Sequence, residues 1–182
     1  KSLPRKDGLA KATGQAQFAG DLKLPGLLTA LVAHPPVFGA KVKSFKADQT
    51  LAVPGVKTVV PIPQGVAVVA RDFWSAKKGR DALTVEWDES GAAKVSSDAL
   101  REQYLELAKT AGKIATDRGD ATQALAGAAQ TLEATFTFPY LAHAPMEPLD
   151  CVVQLKDEAC EIWAGSQSQT QDRAIAAKIA GL

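Results

Sequence analysis

The sequence predicts an α+β protein, and three observations indicate that fold class. Residues 56–62 and 65–71 are β-branched runs separated by two residues, which is typical of an antiparallel hairpin. Residues 97–111 place apolar side chains at helical spacing. Near the C-terminus, the strand-like pattern of residues 151–163 changes to apolar spacings of four and three in residues 168–182. Short strands interleaved with helices indicate a mixed sheet-and-helix domain.

The N-terminal part contains the first predicted strands. Residues 15–22 are strand-like, and the apolar run 27–34 predicts a covered strand stopped by two prolines. Residues 41–47 alternate, with Val42 and Phe45 in opposite registers, so we expect a β-bulge there.

Two predicted helices flank the central hairpin. Asp48 is expected to cap a short helix over residues 48–53, and Asp72 a longer helix over residues 73–82. Residues 83–87 alternate as a closing strand. The three tryptophans lie beside apolar residues in predicted elements, so we expect them in the core: Trp74, Trp87 and Trp163.

The middle of the chain predicts two helices and a strand. Ser97 is expected to cap a helix that ends at Gly112, and Asp120 a short helix with Gln123 as its capping-box partner. Residues 131–138 alternate apolar with polar side chains, which predicts a half-buried strand.

Residues 139–148 predict an extended, stiff turn, because three prolines fix backbone angles and exclude helix before them. The turn holds His143, Met146 and Glu147. Glu147 is either a desolvated general base or, as we favour, a structural acceptor for the turn's own backbone. Gln167 then lies where a strand ends and a helix begins near Ser168, a position suited to binding an oxo or phosphate oxygen.

Composition excludes several classes of function. Lysine and arginine total 21 against 20 acidic residues, so no field for collecting nucleic acid or anionic membrane is expected. Every apolar stretch is interrupted before the roughly 18 residues that a transmembrane helix needs. The chain does not begin with methionine, so we expect an excised or processed piece.

Neither histidines nor cysteines predict a metal site or a disulfide framework. Only His34 and His143 are present, and both are interpreted as structural. Cys151 and Cys160 lie on adjacent predicted strands and are interpreted as small buried hydrophobes, with a cross-strand disulfide as the alternative.

Several motifs together resemble the large subunit of molybdenum hydroxylases, the xanthine dehydrogenase and aldehyde oxidase family, in its isoquinoline 1-oxidoreductase beta-subunit type. The most specific are His-Ala-Pro-Met-Glu-Pro at residues 143–148 and Trp-Ala-Gly-Ser-Gln-Ser at residues 163–168. Four earlier segments resemble, in order, the family's α/β hammerhead domain: residues 11–16, 24–28, 54–57 and 65–70.

The resemblance implies an organisation and one cofactor contact. It implies an α/β hammerhead domain (1–92), a helical linker (93–128) and the start of a molybdopterin-binding domain (129–182). Gln167 matches the family glutamine that approaches an oxo ligand of molybdenum. The family's glycine-rich phenylalanine loop and its catalytic glutamate have no counterpart here, so we assign no catalytic residue and no metal ligand, and expect no turnover by this chain alone.

The complete enzyme implied by the resemblance hydroxylates N-heterocycles or aldehydes with water. It would use molybdenum bound to molybdopterin cytosine dinucleotide, with the rest of the molybdenum-binding domain and an iron–sulfur small subunit as partners. We expect no cofactor on this piece alone. A bacterial periplasmic location is implied, with the cytoplasm as the alternative.

A non-catalytic α+β protein-interaction module is the alternative hypothesis. It would dock through the apolar stripe of the helix containing Leu100, and through Ile175 and Ile179. For either function, we expect this piece to self-associate through its C-terminal helix, whose packing partners are missing.

Overall fold

The computed structural model of the chain describes residues 3–182, which form short strands and helices in alternation. The helices are α1 (Gly8–Ala12), α2 (Asp48–Leu51), α3 (Phe73–Asp81), α4 (Ser97–Leu107), α5 (Ala121–Ala126) and α6 (Gln169–Ala180), with a short 3₁₀ helix at Ala19–Asp21. The strands are β1 (Thr29–Ala33), β2 (Lys41–Lys46), β3 (Val56–Ile62), β4 (Gly65–Ala70), β5 (Thr84–Asp88), β6 (Cys151–Lys156) and β7 (Ala159–Ala164). This mixture confirms the predicted α+β class.

The chain divides into two units. One contains the residues up to Leu28 together with His143–Leu182, and the other contains Thr29–Ala142. The predicted domain boundaries at residues 92 and 128 stay a prediction.

The core of the Thr29–Ala142 unit is a three-stranded antiparallel sheet in the order β1-β4-β3. The central strand β4 is the most apolar, and Val66, Val68 and Ala70 on it are fully buried. Helix α3 packs on this sheet through Ala76, which is also fully buried. Burial of a continuous apolar strand between two neighbours and a helix explains why the β-branched hairpin could be predicted from the sequence.

Strands β2 and β5 form a separate antiparallel ribbon in the same unit. The pairing register shifts between Val42 and Ser44, which confirms the predicted bulge. The extra residue lets Val42 and Phe45 share one face although their spacing is odd, and both side chains are half-buried.

Helix α3 begins where the sequence predicted, and its cap is a titratable group. Asp72 Oδ1 accepts a hydrogen bond from the Ser75 N–H at 2.8 Å, and Asp72 Oδ2 accepts one from the Ser75 hydroxyl at 3.0 Å. The Ser75 N–H above all, helped by the hydroxyl and Arg71, holds the pKa of the Asp72 carboxyl below its usual value.

We expect this cap to make unfolding pH-dependent on the acid side. The pKa of the Asp72 carboxyl is lower in the folded than in the unfolded state, so the unfolded state binds the proton more readily. The stabilisation by the cap is therefore present above the unfolded pKa of about 3.9. It is lost as the pH falls through the folded pKa. Asp72→Asn keeps a capping oxygen but does not titrate. Its urea midpoint should therefore fall less steeply than that of the wild type between about pH 5 and pH 2. Parallel curves for the two proteins would contradict this assignment.

Helix α4 starts within one turn of the predicted position and ends earlier than predicted. Ser96, not Ser97, is the N-cap, and its hydroxyl accepts the Ala99 N–H at 3.1 Å. The helix ends at Leu107 rather than continuing to Gly112, and none of its side chains is buried. After Leu107 the chain continues only as a tight turn, in which the Lys109 and Thr110 N–H groups bond to carbonyl oxygens three residues back. Asp120 caps α5 by accepting the Gln123 N–H at 2.9 Å, as predicted, but the Gln123 side chain does not bond back to the Asp120 N–H within residues 3–182, so the predicted capping box is only half formed.

Four further expectations were wrong. Residues 15–22 and 131–138 form no strand, because no partner strand pairs with either segment within the described residues. The Asp48 side chain does not cap α2, whose N-cap is Ala47. Trp74 is 66% exposed on α3 and stacks edge-on against Phe73, with ring centroids 5.5 Å apart, rather than entering the core.

The unit that contains His143–Leu182 holds the predicted C-terminal hairpin and helix. Strands β6 and β7 are antiparallel and joined by the Asp157-Glu158 turn, and the 3₁₀ helix packs against β6. Cys151 pairs with Ala164, and Cys160 pairs with Leu155, so the two thiols are not opposite each other and both are free. Cys151 is exposed and Cys160 half-buried, which corrects the prediction that both are buried.

The chain leaves much apolar surface uncovered. Its total accessible surface is 15960 Å², and large apolar side chains such as Leu132, Met146 and Leu149 are more than nine-tenths exposed. Two separate compact units of these sizes would expose only about 10,000 Å² by the usual scaling of surface with mass.

In the described part of the chain, no helix is long and apolar enough to cross a bilayer.

Candidate cofactor-binding site

Gln167 lies at the junction between β7 and α6. Strand β7 ends at Ala164, and helix α6 begins at Gln169 after a four-residue loop. The Gln167 side chain is exposed and makes no hydrogen bond to any residue in the range 3–182. The structure therefore confirms the predicted placement of Gln167, while its assignment as a cofactor contact stays a prediction.

The loop around Gln167 is held by Ser166. The Ser166 hydroxyl donates a hydrogen bond to the Asp172 carboxylate in the first turn of α6, and it accepts the Ser168 N–H at 3.1 Å. The Gln169 side-chain amide donates to the Ser166 carbonyl oxygen at 3.2 Å. These three bonds fix the backbone on both sides of Gln167 and leave its amide free.

The first turn of α6 leaves donors open beside Gln167. The Ser168 carbonyl oxygen accepts the N–H groups of Gln171 and Asp172, each at 3.0 Å. The N–H groups of Gln169 and Thr170 find no acceptor among the residues that the structure describes. A neutral side-chain amide next to free N–H groups at a helix start suits an oxygen ligand of a cofactor, and it does not suit a bare cation.

The proline-rich turn before β6 is extended and exposed. Residues 139–148 form no helix, as predicted, and the side chains of His143 and Glu147 are exposed. Met146 is 99% exposed. Glu147 accepts no hydrogen bond within residues 3–182, so the favoured interpretation, in which it accepts bonds from the turn's backbone, was wrong. An extended three-proline segment has no turned N–H groups to offer it.

An open apolar groove of about 380 Å³ lies between the β6–β7 hairpin and α6. The hairpin contributes two cross-strand pairs, Val153 with Ile162 and Leu155 with Cys160. The helix contributes four side chains to the groove: Ile175, Ala176, Ile179 and Ala180. Asp172 also lines it, so the residue that holds the Gln167 loop lies at one wall of the groove.

Sequence reasoning missed the Ser166–Asp172 contact. A serine before a helix and an acidic residue in its first turn are a known local signal, yet Ser168 is the nearer serine and makes no side-chain cap. Only the loop geometry shows that the earlier serine makes the bond. Among residues 3–182, no group of three or more histidine, cysteine or acidic side chains could hold a metal ion.

Comparison with known proteins relates the C-terminal part of the chain to one domain family. Residues 106–182 match the molybdopterin cofactor-binding domain. This range contains the proline-rich turn, the hairpin and the Gln167 junction.

The whole chain is similar to components of bacterial oxidoreductases. It is 30% identical over 197 aligned residues to the beta subunit of isoquinoline 1-oxidoreductase from Brevundimonas diminuta, an alignment that covers 100% of this chain and 25% of that protein. It is 30% identical over 184 residues to a nicotinate dehydrogenase subunit of Pseudomonas putida, covering 92% of this chain and 15% of that protein. The chain thus spans a quarter or less of the length of these curated relatives.

The fold also has a counterpart of known structure. Quinoline 2-oxidoreductase from Pseudomonas putida 86 superposes with a TM-score of 0.69 at 19% sequence identity. The superposition covers 99% of this chain and 28% of that chain. The arrangement of elements described above therefore resembles the fold of one part of that longer chain.

Proposed function

Because the chain belongs to the molybdenum hydroxylase family, we propose that it is the N-terminal part of a molybdenum-binding subunit. The complete oxidoreductase would hydroxylate N-heterocycles or aldehydes with water, and residues 1–182 would not be active alone. The match of residues 106–182 to the molybdopterin cofactor-binding domain carries this proposal. The match of the whole of this chain to a quarter of an isoquinoline 1-oxidoreductase subunit supports the substrate class and disfavours a mere interaction module.

The residues present fit a cofactor oxygen at the Gln167 junction. The exposed Gln167 amide and the open N–H groups of Gln169 and Thr170 are donors, and the Ser166–Asp172 contact keeps the loop in place. When bound, a molybdenum pterin supplies the two-electron oxidation of the substrate carbon. The chain's own contribution is to orient the cofactor by hydrogen bonds, which are strongest where water is excluded. The catalytic base would come from outside residues 1–182.

The finer assignments are also proposals. The cofactor would be molybdopterin cytosine dinucleotide, and the partners would be the remaining molybdenum-binding domain and an iron–sulfur small subunit that receives the electrons. Both relatives are named as subunits, which supports a multi-subunit enzyme. We place the hammerhead domain at residues 1–92, the linker at 93–128 and the start of the cofactor domain at 129–182. We also propose that the protein is exported to the bacterial periplasm, with the cytoplasm as the alternative. Cell fractionation would check this location.

The proposed function is tested on the full-length subunit co-expressed with its small subunit. We expect metal analysis of the purified complex to find molybdenum, and acid hydrolysis to release cytidine monophosphate from the pterin. Oxidation of isoquinoline and of benzaldehyde, each followed with an artificial electron acceptor, would separate the two substrate classes. A complex that folds in a host able to load the cofactor, yet holds neither molybdenum nor pterin, would overturn the proposal.

Residues 1–182 expressed alone are expected to self-associate through the apolar groove. Ile175 is 58% and Ile179 82% exposed, and burying such side chains favours association. Ile179→Lys should weaken self-association by about tenfold or more. Ala174→Lys, on the face of α6 away from the groove, is the matched control and should leave it unchanged. Size-exclusion chromatography with light scattering across a concentration series measures both, and a monomeric wild type at all concentrations would refute the expectation.

A further inference from the structure

Residues 131–138, which we call the alternating segment, carry apolar side chains that nothing in residues 3–182 covers. Leu132, Phe136 and Phe138 are 97%, 77% and 83% exposed. The residues between them are mostly charged or carry hydroxyl groups. Three large apolar side chains left in water at every second or fourth position are unusual for a surface loop, and they indicate a missing partner.

The backbone of the alternating segment is equally unpartnered. It lies in neither a helix nor a strand, and within the described chain none of its N–H or C=O groups bonds to another backbone group. Covering the apolar side chains would also remove water from this backbone. Buried backbone groups need hydrogen-bond partners, so the partner must supply both apolar contacts and backbone donors and acceptors.

The period of the pattern decides which kind of partner fits. Side chains alternate with a period of two, which suits a strand with one covered face and does not suit a helix in a groove. The β-branched threonines and the aromatic phenylalanines of the segment favour an extended backbone. Pro139 lacks an N–H and limits the strand at residue 138. A sheet edge offers both the backbone groups and the apolar face that such a segment requires.

We propose that the alternating segment adds as a strand to the edge of a β-sheet built by the remainder of the molybdopterin cofactor-binding domain, outside residues 1–182. The segment lies inside the range that matches this domain family. The fold of this chain also corresponds to 28% of a longer chain of known structure, so the relatives have ample sequence to form such a sheet. The inference rests on the proposed function, since that function places the rest of the domain in the same polypeptide.

A second copy of this chain fits the alternating segment less well. Two segments paired with each other would make a two-stranded ribbon, which is marginal in water without a sheet or helix against its apolar face. A strand added to an existing sheet gains both its hydrogen bonds and the cover for that face. The observations therefore favour the sheet of the larger domain.

Hydrogen exchange on the full-length subunit tests the proposal. Amides of residues 132–138 should exchange at least about 100-fold more slowly than in an unstructured peptide, with no dependence on protein concentration. Exchange at the unstructured rate would overturn the proposal. Protection that appears only as the protein concentration rises would assign the partner to a second copy and overturn it as well.

A pair of variants identifies the covered face. Phe136→Asp places a charge on the apolar face and should reduce protection of the segment by about tenfold or more, whereas Thr135→Asp, on the polar face, should change it by less than about threefold. Equal effects from both variants would contradict a strand with one covered face. If Phe136→Asp does not fold, the exchange of the wild type still decides the question.

The same preparation separates this proposal from the proposed function. A full-length protein that holds molybdenum but leaves residues 132–138 unprotected refutes the added strand and leaves the function standing. A full-length protein without molybdenum in which these amides are protected refutes the function and leaves the added strand standing.

Discussion

In the full-length subunit with its partner, Gln167→Ala is expected to lower kcat by about 100-fold while the molybdenum content stays unchanged. Removing one preorganised hydrogen-bond donor from an enclosed reaction site typically costs this much. The Gln167 amide makes no bond within residues 3–182, so its loss removes no contact of this chain and should not unfold the loop. Steady-state turnover and metal analysis of the same sample measure the two quantities.

Gln171→Ala is the matched control for this experiment. Gln171 lies in the first turn of the same helix, and its backbone N–H, which bonds to the Ser168 carbonyl oxygen, is kept in the variant. We expect turnover within about twofold of the wild type. If Gln167→Ala retained full turnover, or lost molybdenum in proportion to its activity, the proposed orienting role would be wrong.

Gly65→Ala should destabilise the Thr29–Ala142 unit by about 3 kcal/mol or more. Gly65 has a φ of 148°, which residues with a Cβ rarely adopt. A Cβ atom there would lie 2.1 Å from the Ala33 carbonyl oxygen on β1, and backbone cannot move aside as a flexible side chain can. The close approach of β1 and β4 at this point therefore depends on the absence of a side chain.

Urea unfolding of residues 1–182, followed by circular dichroism, measures this effect. Gly112→Ala is the control, because a Cβ at residue 112 meets nothing within 4 Å and the backbone there needs no positive φ. Its midpoint should shift by the equivalent of less than about 0.5 kcal/mol. A Gly65→Ala midpoint equal to that of the control would show that the β1–β4 approach does not limit stability.

The features that the sequence predicted correctly are those encoded by near neighbours. The β3–β4 hairpin, the Asp72 and Asp120 caps and the change from β7 to α6 each depend on residues within a few positions of one another. β-branched propensity, capping side chains and apolar period act over that range. For the same reason, the position of Gln167 at a junction could be predicted from the sequence.

Two of the wrong predictions concern contacts with distant groups. The alternating pattern of residues 131–138 is a genuine strand signal, but a strand exists only when another strand pairs with it, and none does within the described residues. Trp74 has an apolar side chain beside apolar neighbours, yet it lies on the outer side of α3. Composition alone cannot tell which side of a helix is covered.

By itself, the sequence determined the α+β class, most element positions, the family and the location of Gln167. The tertiary structure alone decided that Ser166 and Asp172 hold the loop around Gln167, that Cys151 and Cys160 do not face each other, and that the alternating segment is bare. For the strand pairing and the burial, the physical reason is one of range. Backbone propensity and capping are local, whereas burial and strand pairing depend on which remote surfaces meet.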